Sequence, residues 1–247
     1  MAWRARSLNA SGAIAATLVG TATVAAGWDW GALLIAFFAT STLLSRAGRD
    51  RKSARTGAIV AKGGDRDAIQ VLANGGIFAV CALLFAATSA PPWAALGLGA
   101  LAASTADTWA TEVGTLAAHA PRSILTWRPV PAGTSGGITV PGTAAALAGA
   151  AALALLAAAL GWPARVATAA AIGGVAGALA DSLLGATVQS HRRCPVCNAA
   201  TERDVHPCGT RTVPAGGWPW LDNDAVNALC GVVGAAVAVA VSVGYTR

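Results

Sequence analysis

The chain has 247 residues, of which 55% are hydrophobic and 11% charged, with 29 glycines and a formal net charge of +6. Soluble domains carry about a quarter charged residues, so this composition argues against a water-soluble globule and for an all-α, polytopic membrane helical bundle. The positive charge does not point to nucleic acid, because the basic residues fall in alternate loops, where they set topology.

Apolar runs predict about seven spans, at roughly 9–27, 30–45, 69–89, 93–112, 138–160, 164–188 and 223–244, in a single membrane domain covering residues 1–247. The first run lacks a convincing cleavage site and is read as a span, not a cleaved leader. Trp28-Asp29-Trp30, Pro91-Pro92 and Gly161-Trp162-Pro163 mark short turns, and the longer loops are about 46–68, 113–137 and 189–222.

If the N-terminus is cytoplasmic, the inside segments hold fifteen of the 17 Lys and Arg residues, including Arg4 and Arg6. Arg165 and Arg247 fall on the other side. The expected orientation in a cell inner membrane is therefore N-terminus in and C-terminus out. Trp28, Trp30, Trp93, Trp162 and Tyr245 are expected to form an outer aromatic belt.

The uncommon polar residues then gather at the cytoplasmic face. Gln70 and Asn74 open the third span, Asp107 and Glu112 close the fourth, Asp181, Ser182 and Gln189 end the sixth, and Asn223, Asp224 and Asn227 begin the seventh. A carboxylate at the end of a span is costly unless paired, and so marks a functional site by default. Asp107, Thr111 and Gly114 share one helix stripe, and Thr105, Thr108 and Glu112 a second. Carboxylates from three helices plus amides are the hard oxygen donors that Mg²⁺ takes together with substrate phosphates. The expected catalytic group is thus Asp107, Glu112, Asp181 and Asp224, with Asp107, Asp181 and Asp224 on Mg²⁺. The bland alternative is that Asp107 and Asp181 only fix helix packing.

Before the fifth span, Thr134, Ser135, Gly136, Gly137 and Thr139 form a Gly-rich loop whose amides and hydroxyls can face an anion at a helix start. It lacks the P-loop pattern, and a plain turn is its simpler reading. The basic stretch 46–66 sets topology or binds phosphate, with Lys62-Gly63-Gly64 nearest to a ligand. Cys81 and Cys230 are expected to be packing residues inside spans. Cys194, Cys197, His206 and Cys208 have spacing suited to a structural Zn²⁺, with His191 as a rival fourth ligand and simple thiols as the alternative.

Asn74-Gly75-Gly76, Ala106-Asp-Thr-Trp-Ala-Thr-Glu-Val-Gly114, Pro131-Ala-Gly-Thr-Ser-Gly-Gly-Ile-Thr139, Ala180-Asp-Ser-Leu-Leu-Gly185 with Gln189, and Asn223-Asp-Ala-Val-Asn227 follow in one order. Together with Pro121-Arg122 they resemble the integral membrane family labelled domain of unknown function 92, over roughly residues 46–231. That family includes transmembrane protein 19 and the phytyl-phosphate kinase of plastid tocopherol synthesis. The resemblance implies a kinase acting on an isoprenoid monophosphate, with CTP as donor by likeness to the CTP-using polyprenol kinases. Asn74, Asn223 and Asn227 would then bind phosphates, Thr108, Thr111, Ser182 and Gln189 would line the site, and Lys62 or Arg122 would neutralise charge. The expected partners are the nucleotide, the lipid phosphate and the membrane, with no nucleic acid and an oligomer left open. A cytidylyltransferase on a lipid phosphate and a lipid or small-molecule transporter are the alternatives.

Overall fold

The computed structural model describes residues 7–62 and 64–244. Arg4, Arg6, Gly63, Tyr245 and Arg247, which entered the reading above, lie outside the described residues. Among the described residues eight α-helices follow one another: α1 (Ala10–Ala26), α2 (Trp28–Arg46), α3 (Arg49–Thr56), α4 (Ala68–Thr88), α5 (Pro91–Gly114), α6 (Val140–Ala159), α7 (Ala164–Thr187) and α8 (Asn223–Gly244). All seven predicted segments are helical. By length and composition, however, five helices among the described residues are long and apolar enough to cross a membrane: α2, α4, α6, α7 and α8. α1 is apolar but has only 17 residues. α5 has 24, but its last three turns carry Asp107, Glu112 and several hydroxyls. α3 was not expected; it stands in the stretch read as loop 46–68.

Local chemistry explains the helix starts. Asn9 caps α1 by accepting from the Gly12 amide at 2.9 Å. Asp67 and Gln70 form a reciprocal capping box at α4. Thr139 caps α6 by accepting from the Gly142 amide at 3.0 Å. Large apolar side chains such as Ile14, Leu18, Ile35, Val80, Leu155 and Ile172 face outward, a surface suited to lipid and not to water.

Two small sheets, which the all-α reading did not contain, organise the loops. β1 (Arg122–Ser123) pairs antiparallel with β2 (Gly137–Ile138), and β3 (His191–Arg193) lies between β4 (Ala200–Thr201) and β5 (Val213–Gly216). The predicted aromatic belt needs correction. Trp28 is exposed, but Trp30 is 1% and Trp162 8% exposed, and both pack in the core with Phe78 and Phe85. The Trp162 indole donates to Asp29 Oδ2 at 2.6 Å, so its polar edge is satisfied inside the protein rather than at the membrane interface. Cys81 and Cys230 are buried, as expected.

The helices that carry the aspartates meet on glycine. A Cβ on Gly177 of α7 would lie 2.5 Å from Ala103 Cβ of α5 and 2.7 Å from the Cys230 carbonyl of α8. One on Gly234 of α8 would lie 2.6 Å from Ala103 Cβ and 2.7 Å from the Gly99 carbonyl. Only hydrogen fits at these crossings, so three backbones approach closely. Asp107 and Asp181 each lie four residues beyond the Ala103–Gly177 contact. Parallel helices therefore deliver both side chains to the same level, about 6 Å further along. α8 runs the other way, and Asp224 precedes Cys230 by six residues, about 9 Å.

Candidate functional site

The C-terminal ends of α2, α5 and α7 and the N-terminal ends of α4, α6 and α8 surround a cavity of about 890 Å³. α3, residues 57–66 and the 133–137 loop close around it. Lys62, Asn74, Thr108, Thr111, Glu112, Thr134, Ser135, Gly136, Gly137, Thr139, Ser182, Gln189, Asn223 and Asn227 all line it, as do Asp107 and Asp181. Arg122 does not; it is exposed on β1 and donates to the Trp127 carbonyl at 2.7 Å. Asp224 does not line it either, and reaches it through Lys62.

Among the lining residues is the half-buried pair Asp107 and Asp181, whose carboxyl groups lie within hydrogen-bonding reach of each other. Two carboxylates in contact repel unless a proton or a cation lies between them. Of the expected three-aspartate metal set, the geometry brings these two together. Asp224 is buried at the start of α8; its Oδ2 is bound by the Lys62 ammonium, and its Oδ1 has no hydrogen-bond partner among the described residues.

Glu112 is bonded to groups of α2 and α3. It accepts from Lys52 Nζ at 2.6 Å and from the Ser45 hydroxyl, and Arg66 lies close enough to act on its charge. Lys52 is itself buried and also donates to the Leu44 carbonyl at 2.6 Å. Truncating one partner of such a pair leaves the other charge inside without compensation. Lys52→Met should therefore destabilise the protein by up to about 3 kcal/mol, and Lys52→Met with Glu112→Gln should restore most of it, as read by thermal melting.

Lys62 bridges Asp224 and Asp67, the latter at 2.8 Å. Partial burial pulls its ammonium down, but the hydrogen bonds to both aspartates outweigh that and leave it above its ordinary value. The same contact holds Asp67 below the usual carboxylate range. Lys62 thus stays charged at the cavity mouth.

In the Gly-rich loop, Gly136 has φ 75°, and a Cβ there would lie 2.4–2.8 Å from Ala186 atoms, so glycine is required twice over. This close approach seats the neighbouring Ser135, whose hydroxyl donates to Glu202. Glu202, which the sequence reading missed, also accepts from Gln189 Nε2 at 2.8 Å. Burial pushes its carboxyl above the ordinary range, against the hydrogen bonds it receives from Ser135, the Ala61 amide and Gln189. The chain has only two glutamates, 112 and 202, and both line the cavity. That scarcity was the available signal. Arg46, Arg49, Lys52, Lys62, Arg66 and Arg203 supply a basic rim.

Cys194, Cys197, His206 and Cys208 bring their ligand atoms within 4.8 Å of one another. His191, the rival ligand, lies instead on β3, close enough to Glu202 to act on its charge.

The sequence profile of the integral membrane protein family DUF92 matches residues 1–235. Protein PGR of Arabidopsis thaliana is 35% identical over 253 aligned positions, covering 91% of this chain and 85% of that protein. An uncharacterized membrane protein of Methanocaldococcus jannaschii is 35% identical over 74% of this chain and 75% of its own length. One from Synechocystis is 29% identical, covering 88% and 75%. No solved structure gives a significant match.

Proposed function

The chain belongs to the integral membrane protein family DUF92, and on that premise we propose that it is a membrane kinase. It would transfer a phosphoryl group from a nucleoside triphosphate, CTP by the resemblance in its motifs, to an isoprenoid monophosphate such as phytyl phosphate. The observation that carries this reading is the contact between Asp107 and Asp181 in a cavity whose rim is basic. Acidic centre and basic rim together suit a metal-bound polyphosphate better than they suit a neutral solute.

The donor set fits Mg²⁺: two hard oxygen groups in contact, and a third carboxylate, Asp224, with a buried oxygen that no group among the described residues satisfies. Asp107 and Asp181 would hold the ion, with Asp224 as further donor, and the ion would supply positive charge to the triphosphate. Lys62 and Arg66 add charge at the mouth, and Asn74, Asn223 and Asn227 offer amide donors to phosphate oxygens. In the reaction, an oxygen of the lipid phosphate attacks the γ-phosphorus. The bond from that phosphorus to the β–γ bridging oxygen breaks, and the nucleoside diphosphate leaves with the electron pair. The acceptor is already an anion, so the chain need not provide a buried nucleophile.

The cavity also has an apolar side. Ala146 and Leu147 of α6 and Val175, Ala178 and Leu179 of α7 line it, and Leu147 and Leu179 are 52% and 48% exposed on the outer surface. An isoprenoid tail would reach the site between α6 and α7, leaving the phosphate at the polar end. Leu179→Trp should raise KM for phytyl phosphate roughly tenfold and leave KM for a short, soluble prenyl phosphate unchanged, measured by steady-state kinetics. By the same charge bias that predicts N-in, C-out, the site would lie at the cytoplasmic face of an inner membrane, where nucleotide is supplied.

The test is purified protein in nanodiscs with Mg²⁺, γ-labelled CTP or ATP, and phytyl, geranylgeranyl and farnesyl phosphates. Label should pass to at least one lipid. Failure of the folded protein to label any of them contradicts the kinase reading.

A further inference from the structure

We infer that Cys194, Cys197, His206 and Cys208 bind one zinc ion, and that this ion fixes the arm that carries Glu202 into the cavity. Zinc binding stands apart from the proposed reaction, and its measurement needs no substrate.

All four ligand atoms converge within 4.8 Å of one another, close to the spacing of a tetrahedral site. Cys194 Sγ and Cys208 Sγ are 3.6 Å apart, and His206 Nδ1 is 3.1 Å from Cys208 Sγ. Ligands at about 2.3 Å for sulfur and about 2.0 Å for nitrogen, set tetrahedrally about zinc, stand roughly 3.5–3.8 Å apart. The backbone around the cluster is already turned toward its sulfurs. The Cys197 amide points at Cys194 Sγ at 3.4 Å, so the Cys-Pro-Val-Cys turn curls around one ligand. Left-handed residues follow the last cysteine of each half: Asn198 with φ 54° and Gly209 with φ 84°. The Gly209 amide closes the second turn on the His206 carbonyl at 2.8 Å. A disulfide does not account for this arrangement, because four ligand atoms converge and one belongs to histidine. Cys194 is buried while Cys197 and Cys208 are exposed, so an ion has both an anchored ligand and an open approach.

Between the two halves of the cluster lies the segment that reaches the cavity. Thr201 donates its hydroxyl to the Ala58 carbonyl at 2.8 Å, the Glu202 amide bonds the Ile59 carbonyl at 2.8 Å, and Arg203 Nη1 donates to the Gly57 carbonyl at 3.1 Å. The loop between α7 and α8 runs from Val188 to Asp222, and most of its apolar side chains are not buried, Cys194 and Leu221 being the exceptions. Cross-linking its two halves removes the freedom that would otherwise oppose docking, as metal ions do in small loop-rich domains. Zinc would thus be a positioning element for Glu202, and through it for Ser135 and Gln189.

The experiment uses the full chain, expressed with zinc supplied and purified into nanodiscs. Elemental analysis should find about one zinc per chain, lost in Cys194→Ser and in Cys208→Ser but kept in Glu202→Gln. Hydrogen exchange after chelation should accelerate at least about tenfold at the Glu202 amide, while α5 and α7 keep their protection. Wild-type protein without zinc, or serine variants that retain it fully, overturns the metal site. A Glu202 amide equally protected with and without the ion overturns the positioning role. Neither readout depends on kinase activity, so a failure here is distinct from a failure of the proposed reaction.

Discussion

Asp107→Asn should lower phosphoryl transfer by at least about 100-fold while leaving the bundle folded, the size expected when a preorganised electrostatic group is removed from a transition state. Asparagine keeps the volume and one carbonyl oxygen, so it can still hydrogen-bond Asp181. What it removes is the second negative charge of a pair in contact. If that pair served packing alone, removing the repulsion would be neutral or stabilising, and activity would survive. If the pair holds a cation on the triphosphate, stability should be unchanged or higher while activity falls. Asp181→Asn should behave alike. Initial rates separate the two roles, and a melting curve on the same preparation checks that the fold is kept.

Gly177→Leu should be the most damaging change away from the cavity. Its Cβ alone would sit 2.5 Å from Ala103 Cβ and 2.7 Å from the Cys230 carbonyl, and backbone cannot swing aside as a flexible side chain can. Overpacking of this kind costs about 1–3 kcal/mol or more. It also forces α5 and α7 apart four residues above Asp107 and Asp181, so transfer should fall along with thermal stability. Gly20→Leu, in α1 with nothing within 4 Å of its Cβ, is the matched control and should change neither. An active, stable Gly177→Leu protein would show that the glycine crossing does not set the spacing of the acidic pair.

Much of this was legible in the residues. In a chain so poor in charge, each carboxylate at a helix end stood out, and the topology of the basic loops moved those ends to one side. The structure gathers Asp107, Glu112 and Asp181 around one cavity, with Asp224 joined to it through Lys62. Other features could not be read in this way. Trp30 and Trp162 looked interfacial because they flank turns, but their neighbours in space, Phe78 and Phe85, come from a helix that periodicity alone does not place. Glu112 looked like a fourth catalytic carboxylate. It lines the cavity and is ion-paired by Lys52, because the basic stretch contains a helix, α3, that turns Lys52 inward. Asp224 shared composition with the other aspartates but not their direction, since α8 enters the site from its N-terminus. Glu202 lay in a loop whose cysteines drew attention to metal, and only docking on residues 57–61 shows why an acid stands there.

The most direct measurement is the product pair formed from nucleotide and lipid phosphate by the purified protein. Phosphoryl transfer predicts lipid diphosphate and nucleoside diphosphate in equal amounts, dependent on Mg²⁺ and lost in Asp107→Asn. Release of pyrophosphate with a nucleotidyl group on the lipid would identify a cytidylyltransferase. Movement of lipid without nucleotide consumption would identify a transporter. Either outcome would contradict the account.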